Sequence, residues 1–184
     1  MPKKEFLDVI AAEVIVCTKC SLCNPNAHVI FIGEAPGFSE DVKGKPFVGD
    51  AGKFLDTLLS EIGFLRENVF IGNVLKCRPP KNREPLPQEI QTCTPYLDRQ
   101  IQIIQPKVIV TLGNYSTAHI FSKANLPFSS ITQTHGKFYE ASVLGLPITV
   151  FPTFHPAAAL YSAKYKEEIS NDFQKLKHEL AKKM

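Results

Sequence analysis

Nowhere does this chain of 184 residues carry an apolar run near the ~20 residues needed to span a bilayer as a helix. Nor is Met1-Pro2-Lys3-Lys4 followed by the apolar core of a signal peptide. Both absences exclude a helical membrane protein and predict a cytoplasmic location, nucleoid-associated in a prokaryote. A strong charge of either sign is missing too. Lys and Arg total 21 against 18 Asp and Glu, a net +3, so any basic surface must come from local clustering. Internal repeats, low-complexity stretches and linkers are lacking, which predicts one domain over residues 1–184, long enough for a full core. Cysteine is scarce. In a reducing compartment five cysteines suggest metal ligation or redox work rather than disulfides.

The apolar residues that are present alternate between two patterns. Val29-Ile30-Phe31-Ile32, Val69-Phe70-Ile71, Val108 to Leu112 and Ile148 to Phe151 are short and rich in β-branched residues, with no strict polar alternation. They read as buried strands. Helical spacing runs through Ala51 to Ile62, Gln88 to Gln105 (after the stop signals Pro85 and Pro87), Asn114 to Lys123 and a surface helix Lys164 to Lys183. A further helix is expected over Lys3 to Ile15. Strands alternating with helices predict an α/β fold, a three-layer α/β/α sandwich around a mostly parallel four-stranded sheet. Ligands of such sheets sit beyond the carboxyl ends of the strands. Glu34, Asn73, Gly113 and His155 follow the four predicted strands in turn.

Two glycine-rich stretches are chemically distinctive. Gly33-Glu34-Ala35-Pro36-Gly37 leaves the first strand in a sharp turn that can bring backbone N–H groups to a ligand. Gly44-Lys45-Pro46-Phe47-Val48-Gly49 then delivers one flat aromatic among small residues. Backbone donors beside an aromatic platform suit an extruded nucleobase. The same features also serve an ordinary strand-to-helix turn and a core phenylalanine.

Cys17-x-x-Cys20 and the pair Cys77 and Cys93 make a plausible four-thiolate site for zinc or an iron–sulfur cluster. Cys23 extends the first pair to C-x-x-C-x-x-C and is read as a bystander. A cluster would tether both ends of the Pro-rich segment Arg78 to Thr92. That region carries Lys76, Arg78, Lys81 and Arg83, spaced to touch phosphates or simply to solvate a loop.

Taken together, these residues resemble the iron–sulfur, family 4 uracil-DNA glycosylases. The resemblance rests on Gly33 to Gly37, Gly44 to Gly52, Asn73-Val74-Leu75-Lys76-Cys77-Arg78-Pro79-Pro80-x-Asn82-Arg83, Leu112-Gly113 and Phe154-His155-Pro156, in order over most of the chain. It implies the uracil-glycosylase α/β/α fold and a structural [4Fe-4S] cluster on Cys17, Cys20, Cys77 and Cys93. It also implies hydrolytic excision of uracil from single- or double-stranded DNA by a monomer. Phe47 should stack on the flipped base and Asn73 read its polar edge. His155 should stabilise the charge developing on uracil O2, joined by backbone groups of the turn Gly33, Glu34, Ala35 and Gly37. Glu34 and Glu40 are the carboxylates available to position water or stabilise the sugar cation; where other branches have an aspartate, this chain has Ala35. Lys76, Arg78, Asn82 and Arg83 are expected on DNA, with Leu160 as the wedge and Tyr161 as second choice. No nucleophilic lysine is indicated, so strand scission is not expected. The chain departs from the family pattern in a shorter segment between Cys20 and Gly33. The rival reading is a non-catalytic binder of uracil-DNA or DNA structure that keeps the fold and metal site.

Overall fold

The computed structural model describes residues 27–183. Cys17, Cys20, Cys23 and the helix expected over Lys3 to Ile15 lie outside the described residues. Five strands form one sheet: β1 (Val29–Gly33), β2 (Phe70–Asn73), β3 (Val108–Leu112), β4 (Tyr139–Val143) and β5 (Leu146–Thr153). Their spatial order is β2-β1-β3-β5-β4, parallel throughout except for β4, which runs antiparallel to β5 at the edge.

The sheet therefore has five strands rather than the four expected. The missed strand, β4, is an edge: its residues alternate between partly buried and exposed before ending on buried Val143. Its link to β5 is the two-residue turn Leu144-Gly145, with φ of 53° and 83°. Positive φ at both positions is the geometry that suits a tight hairpin, but leucine is not a residue that announces it. Pro87 is a second correction. It occupies the first turn of its helix instead of stopping the chain, where its missing N–H costs nothing. The N–H of Leu86, just ahead of it, is taken up by Glu89 Oε2 at 2.8 Å.

Six helices complete the described residues: α1 (Phe38–Lys43), α2 (Asp50–Glu61), α3 (Pro87–Ile104), α4 (Asn114–Lys123), the short α5 (Ile131–Thr134) and α6 (Ala163–Lys183). The period of two in a strand divides β1 between two cores. Val29 and Phe31 pack with Leu55, Leu58 and Leu59 of α2 and with Ile169, Phe173 and Leu176 of α6. Ile30 and Ile32 pack on the other side with Leu97 and Ile101 of α3 and Ile120 and Phe121 of α4. Helices on both faces of the sheet give the three layers expected. Truncating a fully buried leucine in either layer, such as Leu58 or Leu97, costs about 3 kcal/mol.

The α6 helix is less of a surface element than its lysines suggest. Besides its apolar stripe it buries Asp172, which is 1% exposed. That carboxylate accepts from Thr153 Oγ1 at 2.9 Å and lies 2.8 Å from His135 Nδ1. The His135 ring in turn packs on Phe154, with ring centroids 4.3 Å apart. One buried carboxylate thus anchors the end of β5 immediately before the residue of greatest chemical interest, His155.

Candidate functional site

Parallel register aligns the strand ends, Gly33 with Asn73 across β1 and β2, and Leu112 with Thr153 across β3 and β5. From β1 the chain crosses to β2 on one side and then returns to β3 on the other. The strand order reverses there, and such switch points leave a crevice. A cavity of about 300 Å³ opens at this edge, lined by Glu34, Glu40, Phe47, Asn73, Asn82 and His155 among others. That volume lies at the small end of ligand pockets, roughly 300–1,000 Å³, and suits a single base.

Phe47 reaches the cavity because the backbone around it is unusually close-packed. Its φ is 51°, the left-handed region, which phenylalanine adopts only when its surroundings enforce it. Two glycines make the enforcement possible. A Cβ on Gly52 would fall on the Phe47 carbonyl, and one on Gly33 would lie 2.5 Å from Asn73 Oδ1 and 2.6 Å from Phe47 Cζ. The loop is held from outside as well. Glu40 Oε1 accepts the N–H groups of Val48 at 2.9 Å and Gly49 at 2.8 Å. Burial works against the charge on Glu40, and these backbone donors outweigh it, holding the carboxyl below its ordinary range.

Asn73 is fixed at the end of β2. Beyond it the ladder to the first loop continues, with Val74 N–H on the Gly33 carbonyl at 3.0 Å and Leu75 N–H on the Glu34 carbonyl at 2.9 Å. Asn73 is 5% exposed, and its Oδ1 is buried without a hydrogen-bond partner. A buried acceptor left unpaired costs about 1–3 kcal/mol. Facing a cavity of base size, it marks where a ligand's N–H belongs.

His155 also lines the cavity, its ring stacked near Phe47 with centroids 5.5 Å apart. The Ala157 N–H donates to His155 Nδ1 at 3.1 Å. An accepting Nδ1 carries no proton, so the neutral ring bears its hydrogen on Nε2. Burial depresses the imidazole to about 4, against the opposing pull of the Glu40 charge. His155 is therefore neutral near pH 7. The helix-capping role open to a histidine before Pro156 is real, and it also sets the tautomer. Glu34 differs from Glu40: burial first and the Glu84 charge second push its carboxyl above the ordinary value.

The basic residues divide. The Lys76 ammonium is turned inward, donating to the Asn73 carbonyl at 2.8 Å and to Gln100 Oε1 at 2.9 Å, and burial lowers it to about 8. Arg83 forms a two-pronged pair with Glu89, at 2.6 and 2.8 Å. Arg78 is freer, donating from Nε to Asn82 Oδ1 at 2.7 Å. Its guanidinium carbon lies over the Phe38 ring, 5.2 Å from the centroid. Asn82 and Lys81 both have positive φ, which folds the segment back onto the cavity rim. Leu160 is 48% exposed and Tyr161 89% exposed, at the end of the 3-10 turn Pro156–Leu160 that follows His155. Sequence reasoning passed over Phe38, since nothing in one exposed residue beside a glycine turn distinguishes it. It also passed over Asp172, which sat in a lysine-rich helix.

Cys77 and Cys93 are free thiols, exposed and partly exposed respectively. Among the described residues no group of three or more metal-ligating side chains is assembled. The two thiols nonetheless suit half of a four-thiolate set. They bracket the 78–92 segment, and both are at least partly accessible.

The family model of the uracil DNA glycosylase superfamily matches residues 20–180. A type-4 uracil-DNA glycosylase of Saccharolobus solfataricus is 50% identical, the alignment covering 96% of this chain and 88% of the relative. One from Sulfurisphaera tokodaii is 51% identical over 94% of this chain and 84% of the relative. A third, from Archaeoglobus fulgidus, is 45% identical over 94% and 92%.

Proposed function

The chain belongs to the uracil DNA glycosylase superfamily, and we propose that it is a monofunctional type-4 uracil-DNA glycosylase that hydrolyses the N-glycosidic bond of deoxyuridine in DNA. The observation that carries this reading is the unpartnered Asn73 Oδ1, buried in a base-sized cavity beside Phe47 and a neutral His155. A uracil extruded from single- or double-stranded DNA stacks on Phe47. Asn73 accepts from uracil N3–H through Oδ1 and donates to O4 through Nδ2. Cytosine presents an amino group at C4 and has no N3–H, so it meets the same amide with the wrong polarity.

As the bond from C1′ to the base breaks, its electron pair leaves with uracil, and negative charge gathers on O2. The His155 Nε2–H donates a hydrogen bond to that oxygen. A fixed donor of this kind contributes about 10²–10³ in rate. The sugar becomes a cation at C1′. Glu34, more basic than an ordinary carboxylate, accepts the proton of the water that adds there, leaving an abasic site and a uracil anion that takes up a proton from solvent on release. Glu40 was expected among the catalytic carboxylates, but in our reading it positions, because its Oε1 is engaged by the loop that presents Phe47. Asn82 and Arg83 line the cavity mouth and Arg78 lies beside Asn82, all three placed for DNA contact, while Lys76 is turned inward and acts through Asn73. Leu160, with Tyr161 beside it, remains the wedge that fills the stack after extrusion. The enzyme works as a monomer in the cytoplasm, at the nucleoid in a prokaryote.

A [4Fe-4S] cluster on Cys17, Cys20, Cys77 and Cys93 would cross-link the segment behind Asn73 to α3. Its contribution is structural, since hydrolysis transfers no electrons.

Single-turnover excision from a single-stranded oligonucleotide with one uracil, followed by alkaline cleavage of abasic sites, tests the reading. Rapid product with the wild type, and losses of about 10²-fold or more in His155→Ala and Asn73→Ala, are expected. Tight uracil-dependent binding without product would turn the assignment to the non-catalytic binder.

A further inference from the structure

The α1 helix buries none of its residues, yet it carries Phe38 and Val42, 65% and 70% exposed. Four residues apart, they share one face of the helix. Helices of such composition ordinarily hide that face. This one stands at the rim of the cavity. Gly37 and Glu40, on either side of Phe38, line it, and Arg78 links Phe38 to Asn82, which lines it as well. Lys43 at the end of α1, Lys45 just beyond it and Lys81 next to Asn82 are exposed cations, against the acidic Glu40 and Asp41 of the helix.

We infer that the Phe38–Arg78 pair is a second stacking platform, which receives the nucleobase adjacent to the extruded uracil. The inference rests on the glycosylase reading. It specifies a place on the DNA for a patch that the chemistry of excision does not use. A ring backed by a guanidinium and otherwise open to water is built like the aromatic platforms that bind successive bases of a single strand. The three lysines suit the phosphates on either side. Continuity with the cavity identifies the occupant. A strand whose uracil lies on Phe47 has its neighbouring nucleotide leaving across the rim where Phe38 stands.

The chain has no tryptophan, so Phe38→Trp introduces a single fluorescent reporter. Its emission is expected to be quenched on adding a single-stranded oligonucleotide. Replacing the nucleotide on one side of the uracil by an abasic spacer should abolish the quenching; the same spacer on the other side should not. In excision assays Phe38→Ala should lower kcat/KM roughly 5- to 100-fold with kcat nearly unchanged, as expected for loss of one base stack. The spacer substrate and the Phe38→Ala variant should not be additive. Full additivity, or quenching indifferent to both spacers, would overturn the inference. So would a shift of Phe38→Ala to a lower oligomeric state in sedimentation, which would make the strip a contact between copies. Failure of the glycosylase reading is separately visible: the wild type would then release no uracil at any substrate concentration, whatever the reporter shows.

Discussion

His155 sits where burial opposes the cationic ring. Its Nδ1 accepts from the backbone and its environment excludes the cation, so the ring should remain neutral well below the ordinary value of 6.5. A ¹⁵N NMR titration is expected to find the Nε2–H tautomer at pH 6, with protonation only near pH 4. A cationic ring at pH 6 would remove the neutral donor on which the proposed mechanism depends. The sign of the linkage follows. Between about 6.5 and 4 the unfolded chain binds a proton that the folded one refuses, so this residue makes stability fall as pH falls through that window. Above pH 6.5 it makes no such demand.

At the scale of elements, the Phe47 loop depends on α1 and α2 more than on its own residues. Glu40→Ala leaves the Val48 and Gly49 N–H groups without their acceptor and should destabilise the protein by about 2 kcal/mol, read from urea unfolding. Glu40→Gln keeps an acceptor oxygen and should retain most of kcat, as a positioning residue would. If Gln and Ala prove equally inactive while both fold normally, the carboxylate has a chemical role after all. Because backbone donors hold its carboxyl low, the stabilisation from Glu40 is present above the unfolded value near 4.5 and is lost as pH falls through the lower folded value. Much of this level was legible in advance. Gly33, Gly37, Gly44 and Gly49 mark the turns, and the apolar periodicities locate α2, α3 and α4 within a residue or two. What escaped was β4. An edge strand with one wet face has a weak pattern, and its turn relies on Leu144 in a conformation its sequence does not advertise.

Over the whole molecule, the 78–92 segment joins chemistry at the pocket to the cysteines behind it. It begins three residues after the Leu75 contact with the first loop and runs into the first turns of α3, which carries Cys93. Cys93→Ser should therefore lower the melting temperature by several degrees and lose visible absorbance, while single-turnover excision at low temperature changes less than tenfold. A colourless wild type carrying zinc would reassign the metal, and unchanged thermal stability in the colourless variant would deny the cluster a structural role.

The order of residues alone settled the α/β class, the positions of four strands and the gathering of Glu34, Asn73, Gly113 and His155 at one edge. Those outcomes follow from periodicity and from the rule that parallel strands end together. The motif residues also suffice to identify the superfamily. Only the tertiary structure decided which side chains are free to act. Lys76 and Arg83 look alike on paper as phosphate-binding cations, yet one is turned into the protein while the other stays at the cavity, held there by Glu89. Glu34 and Glu40 are the same residue type six positions apart. Burial beside Glu84 raises one, and backbone donors lower the other. Protonation and hydrogen bonding depend on neighbours brought from distant parts of the chain, and spacing along the chain carries no record of them.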